Sequence, residues 1–191
     1  MNYRKHSSIA GRNESILLII DVQDKLYDKI VEKEKLLSNI KKLVSVAKIL
    51  GIPIIVTEQE RLGDTIELLK KVLGNDYSSI KKISFSCMDN EEFRKKIKEL
   101  CKKRFYNTFI VAGIEAHICV EQTALDLLAN DYKVHVVKDA ISSRRKEDVE
   151  TAISKMEKNG IIVTSTEMVI YELLGSAGNE DFKKVLKIIK S

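Results

Sequence analysis

Short apolar runs alternate with amphipathic stretches along the whole chain. SILLIIDV (15–22) is a continuous apolar run ending in an acid, and LLSNIKKLVSVAKIL (36–50) then repeats its apolar positions at helical spacing up to Gly51. IPIIVTE (52–58) is a second run, with the only proline at its start, where a strand tolerates it. IKKISF (80–85) is weaker, and its lysines suit an edge strand. The spacing then predicts a charged helix over 91–103, a strand over TFIVAGI (108–114), a helix from about 117 to 130 and a strand over KVHVVKDA (133–140). A helix over 146–158, a strand within GIIVTS (160–165) and two closing helices, around 167–174 and 179–190, complete the pattern.

Strands that are apolar on both faces and alternate with helices predict a parallel sheet covered on both sides by right-handed crossovers. The fold class is α/β, a three-layer α/β/α sandwich with a mainly parallel six-stranded sheet. If the first three strands run outward from the first and the chain then crosses to the other side, the order is 3-2-1-4-5-6. The crevice of such a sheet lies at the carboxyl ends of strands one and four, here Asp21 and the turn from Gly113 to Cys119. The 191 residues suit a single domain with a core of its own, and residues 1–14 and the end near Ser191 are expected to be mobile.

Composition narrows the function classes. The chain is 44% hydrophobic and 32% charged, and no apolar run approaches the roughly 20 residues that cross a bilayer, so no membrane role is expected. MNYRKHSSIAGRNES is polar, without the apolar core of a secretory signal, and a cytoplasmic location follows as the expectation. Lysine and arginine outnumber the acids by 33 to 28, but they are interspersed with glutamates in VEKEKLLSNIKKL and EEFRKKIKELCKKR. Such faces are solvated helices, so no nucleic-acid partner is expected. Cys87, Cys101 and Cys119 form no CxxC, which suits a reducing compartment and argues against a disulfide framework or zinc ribbon. His6, His117 and His135 form no HxxxH or HExxH, so no metal is expected.

The crevice brings the candidate chemistry together. Cys119 follows a strand by a short turn and opens a helix, where backbone amides and the helix dipole favour thiolate over thiol. A small buried packing residue is the alternative for such a cysteine. Asp21 is either a cap for the following turn or a carboxylate able to take a thiol proton and return it to a leaving group. Side chains alternate along a strand, so only one of Lys81 and Lys82 can address the crevice, where its charge would stabilise thiolate and carboxylate. Gln23 stands where it can orient Asp21 or reach a substrate, with solvent exposure as the other option. Cys87 and Cys101 read as structural or surface residues, and His117 as a hydrogen-bonded residue of the helix's first turn. A nicotinamide-dependent oxidoreductase needs a GxGxxG turn after the first strand, and DVQDKLYD has no glycine.

LLIIDVQDKL, IPIIVTEQ, KKISFSC and FIVAGIEAHICVEQTALDLLANDYKVHVVKDAISSR together resemble the isochorismatase-like cysteine hydrolases, over about Ser15 to Leu174. The family includes isochorismatases, nicotinamidases and N-carbamoylsarcosine amidases. The resemblance implies a catalytic triad of Asp21, Lys82 and Cys119, with Lys82 chosen because it stands three residues before Phe85. It further implies a non-proline cis peptide between Ile114 and Glu115, which turns the backbone amides of Glu115 and Cys119 together as an oxyanion hole. Leu26, Gln59, Ile114 and Ile118, with Gln23, are the implied substrate-binding residues, although Leu26 and Ile118 also read as plain core. Nicotinamidases carry an aspartate and histidine metal site after the second strand, but TEQERLGDTIELL has no histidine. The implied activity is metal-independent and cofactor-free hydrolysis of a small amide or related carbonyl compound through a thioester, by a homo-oligomer. The alternative is a non-catalytic binding or assembly module on the same fold.

Overall fold

A computed structural model describes residues 6–74 and 77–190. Strands β1 (Ser15–Ile20), β2 (Ile54–Gln59), β3 (Ser79–Lys82), β4 (Thr108–Ile114), β5 (Lys133–Ser142) and β6 (Ile162–Thr164) form one sheet in the order β3-β2-β1-β4-β5-β6. Every pairing is parallel. The helices are α1 (Asp24–Tyr27), α2 (Lys33–Leu50), α3 (Glu67–Leu73), α4 (Glu91–Lys103), α5 (Glu121–Ala129), α6 (Lys146–Lys158), α7 (Thr166–Leu174) and α8 (Phe182–Lys190). The expected class and strand order are both present.

The two-faced apolar character of the strands is what creates the three layers. Along β1, Leu17 and Ile19 pack with α2, α3, α7 and α8, whereas Ile16, Leu18 and Ile20 pack with α4, α5 and α6. Each such side chain removed from water contributes about 1.5–3 kcal/mol. Local signals set the helix ends. Asn90 accepts the Phe93 amide at 2.9 Å to start α4, whose first turn carries Glu91 and Glu92 and whose last carries Lys102 and Lys103. Gly51, left-handed at φ 67°, ends α2.

Four expectations need correction. Residues 6–14 do not hang free: Ala10 is buried with its amide on Glu172, and Arg12 reaches the Leu50 carbonyl and Asp181. Residues 1–5 and 191 of that expectation lie outside the described residues. Helix α3 was not foreseen, β5 runs two residues further than 133–140, and the stretch from 117 to 130 is not uniformly α-helical. It begins with a wide π turn over Ala116–Val120, and α5 proper starts at Glu121.

At the switch point β4 presses on β1. Gly113 sits at φ 127°, and a Cβ there would lie 2.1 Å from the Ile20 carbonyl oxygen, immediately before Asp21. Gly113→Ala is therefore expected to destabilise the fold by at least about 3 kcal/mol in urea denaturation, since backbone rather than a flexible side chain must give way. A loss below about 1 kcal/mol would contradict this close approach.

Candidate active site

Three strands that neighbour one another each deliver a side chain to the same point. Asp21 follows β1 with φ at 52°, a left-handed conformation uncommon for a side-chain-bearing residue, and its carboxyl is wholly buried. Lys82 ends β3 and Thr57 lies on β2 between them, in register with Ile20. The long lysine stem spans the intervening strand and puts Nζ 2.6 Å from Asp21 Oδ2. Thr57 Oγ1 donates to the other oxygen, Oδ1, at 2.8 Å. Lys81 points outward, as strand alternation requires.

The lysine is surrounded by acceptors. Besides Asp21, Nζ lies 2.8 Å from Gln59 Oε1 and 3.2 Å from each of the Ser84 and Phe85 carbonyl oxygens. Four acceptors share three protons, so the ammonium is fully satisfied although Lys82 is only 1% exposed. Burial works against its charge, but the Asp21 carboxylate and the sulfurs of Cys87 and Cys119 outweigh it and hold Lys82 above its ordinary value.

Cys119 lies in the π turn, 6% exposed, on the same side of the sheet as Ile20 and Cys87. Burial is the largest influence on its thiol, and the negative charge of Asp21 adds to it. Hydrogen bonding with the Asp21 carboxylate favours the protonated form further, while Lys82 pulls the other way and loses. The thiol therefore stands well above its ordinary range. The expectation of a thiolate favoured by the helix mouth is thus corrected: burial and the neighbouring Asp21 favour the thiol.

The other anticipated residues fall into distinct places. The Ile114–Glu115 peptide is cis. The Glu115 side chain is buried and holds the Arg144 amide and guanidinium. Gln59 touches Lys82 and also donates to the Ile83 carbonyl at 2.6 Å. Gln23 is fully buried, but its side chain serves the backbone of Gln59 and Gly63 and does not orient Asp21. Leu26 and Ile118 are half-buried against opposite cores, and Ile114 is wholly buried. His117 bonds Ser143 Oγ at 2.9 Å. A cavity of about 500 Å³ opens elsewhere, among Leu36, Ile141, Val149 and Met168, and none of Asp21, Lys82 and Cys119 lines it.

Two neighbours of Asp21 escaped sequence reasoning. Thr57 looked like one more strand residue, and only its register beside Ile20 could have singled it out. Cys87 is wholly buried 3.9 Å from Thr57 Oγ1, with its thiol pushed up to about 11 by burial and by Asp21. Among the described residues no three His, Cys, Asp or Glu side chains gather to hold a metal ion, and no helix is long and apolar enough to cross a membrane.

Comparison with known proteins agrees with this fold. The Isochorismatase domain model matches residues 15–168. Isochorismatase domain-containing protein 2 of Xenopus laevis is 37% identical over 94% of this chain and 85% of its own. The solved structure of a MAR1 ribonuclease from Caenorhabditis elegans shares 36% identity at a TM-score of 0.87, covering 95% of this chain and 92% of that one. The YcaC gene product of Escherichia coli, described as an octameric hydrolase of unknown specificity, superposes at a TM-score of 0.83 over 98% of both chains. At 22% identity its likeness bears on the fold alone.

The charge arrangement around Cys119 has a measurable signature. Thiolate ultraviolet absorbance, taken as the difference from Cys119→Ala, is expected to rise only above the ordinary thiol pKa of about 8.5. Asp21→Asn is expected to bring that rise down, because a neutral amide no longer opposes the thiolate. A Cys119 that already ionises below about 8.5 in the unaltered protein would refute the arrangement.

Proposed function

Because the chain belongs to the isochorismatase family, we propose that it is a cysteine-dependent hydrolase of a small amide or ureido compound, with Asp21, Lys82 and Cys119 as its catalytic residues. The observation that carries this reading is the buried Asp21–Lys82 pair at 2.6 Å, set beside a cysteine whose thiol responds to both. A carboxyl group beside a thiol is placed to act as its base.

In the proposed reaction Asp21 takes the Cys119 proton as the sulfur attacks the substrate carbonyl, and Lys82 keeps the Asp21 site charged until then. The oxyanion is received by the backbone amides of Glu115 and Cys119. Asp21 returns the proton to the leaving amine, the C–N bond breaks, and a thioester remains on Cys119. Water, giving a proton to Asp21, then attacks the thioester, and the proton passes to the sulfur as the acid departs. The near-complete burial of the three residues suits a small substrate, with Gln59 at the rim. The homo-oligomer implied by the resemblance belongs to the same proposal. Sedimentation at a monomer's rate would remove that part.

The test is intact-protein mass spectrometry during turnover of a panel of small primary amides and ureido compounds, with a short RNA included because the Caenorhabditis elegans relative is described as a ribonuclease. An acyl adduct on Cys119 is expected, and Cys119→Ala, Asp21→Asn and Lys82→Ala should each lower turnover by about a hundredfold or more. Asp21→Asn should do so while making the thiol easier to ionise, which separates loss of the base from loss of the nucleophile. Wild-type turnover in all three variants would show the assignment to be wrong. RNA cleavage that depends on Cys119 would displace the amide.

A further inference from the structure

Asp21 is tethered at both carboxylate oxygens, and one of the tethers comes from outside the triad. Oδ2 takes the Lys82 ammonium at 2.6 Å, and Oδ1 takes the Thr57 hydroxyl at 2.8 Å. A hydroxyl has one proton to give. With that proton on Asp21, Thr57 Oγ1 faces the Cys87 sulfur, 3.9 Å away, as an acceptor, and Cys87 must be the donor. Burial and Asp21 push the Cys87 thiol up to about 11, so it remains protonated through the neutral range and can fill that role. The Cys87 amide is itself fixed, donating to Thr123 Oγ1 on α5 at 3.0 Å.

We propose that Thr57, backed by Cys87, is a positioning residue for Asp21, fixing the plane of the carboxylate so that it faces the Cys119 thiol. The proposal rests on the reading of Asp21 as the group that takes the Cys119 proton. Lys82 alone would hold the carboxylate at one oxygen through a flexible stem, leaving it free to pivot about its Cβ–Cγ bond. A second tether, on the other oxygen and from a short side chain on the neighbouring strand, removes that rotation. Asp21 also sits where φ is 52°, so the backbone around it has few alternative conformations that would restore a lost alignment.

Valine keeps the shape of threonine without its hydroxyl, and serine keeps the hydroxyl without the methyl, so the pair separates hydrogen bonding from packing. The probe is p-nitrophenyl acetate: Cys119 Sγ bonds to the acetyl carbon, the ester C–O bond breaks, nitrophenolate leaves, and the thiol proton passes to Asp21. The acetyl thioester on Cys119 is followed by intact mass and the nitrophenolate by absorbance. Thr57→Val is expected to acetylate Cys119 at least about tenfold more slowly, as misalignment of a reacting group costs, and Thr57→Ser within about threefold of wild type. Cys87→Ala is expected to fall between them. Thr57→Ala, which also lacks the hydroxyl, takes the place of the valine variant if that chain does not fold. A wild-type rate in the hydroxyl-free variant, or a serine variant as slow as the valine one, would overturn the positioning role while leaving the hydrolase reading intact. Failure of the unaltered protein to acetylate Cys119 would overturn both.

Discussion

The buried pair of Asp21 and Lys82 is the interaction on which the arrangement of this protein's crevice depends. Taking two charges out of water is costly, and their attraction repays that only when the remaining protons and lone pairs are also satisfied. Here they are. The lysine finds Gln59 and two loop carbonyls, and the aspartate finds Thr57. Removing either partner from such a pair leaves a bare buried charge, a loss of about 3–5 kcal/mol in general. The pair therefore pins three strand ends and the loop from Ile83 to Ser86 into one geometry.

That geometry has an electrostatic result that is not obvious from the helix that follows Cys119. A helix mouth favours anions, yet the nearest full charge to the thiol's disadvantage is the Asp21 carboxylate, and burial acts in the same direction. Both favour the protonated thiol.

Much of this was legible in the sequence for identifiable reasons. The covered parallel sheet follows from apolar runs such as SILLII and TFIVAGI, and its order from the chain winding outward and then crossing back past the first strand. The positions of Asp21 and Cys119 follow from that order, because they end the two strands at its reversal. What was missed depends on partners distant in sequence. Thr57 and Cys87 gain their places from strand register and from a loop folding back on α5. Gln23 is close to Asp21 in sequence, yet neither Asp21 nor solvent takes its side chain, which the backbone of Gln59 and Gly63 claims. Residues 6–14 looked like a polar tail, since nothing local shows that Ala10 and Arg12 have docking partners more than thirty residues away. The π turn has no signal in residue type.

Helix α5 carries more than the approach to Cys119. Thr123 holds the Cys87 amide, and Asp126, three residues on and so on the same face, accepts Ser86 Oγ at 2.5 Å. The segment that follows Cys119 thus also clamps the loop that supplies carbonyls to the lysine. Because each residue turns an α-helix by about 100°, inserting a single residue between Cys119 and Thr123 would swing both anchors away while leaving the sulfur in place. The Cys119 thiol and the Lys82 ammonium thus depend on one helix, and grafting the cysteine turn into another parallel sheet without that face of the helix would transplant a thiol bereft of its charged neighbour.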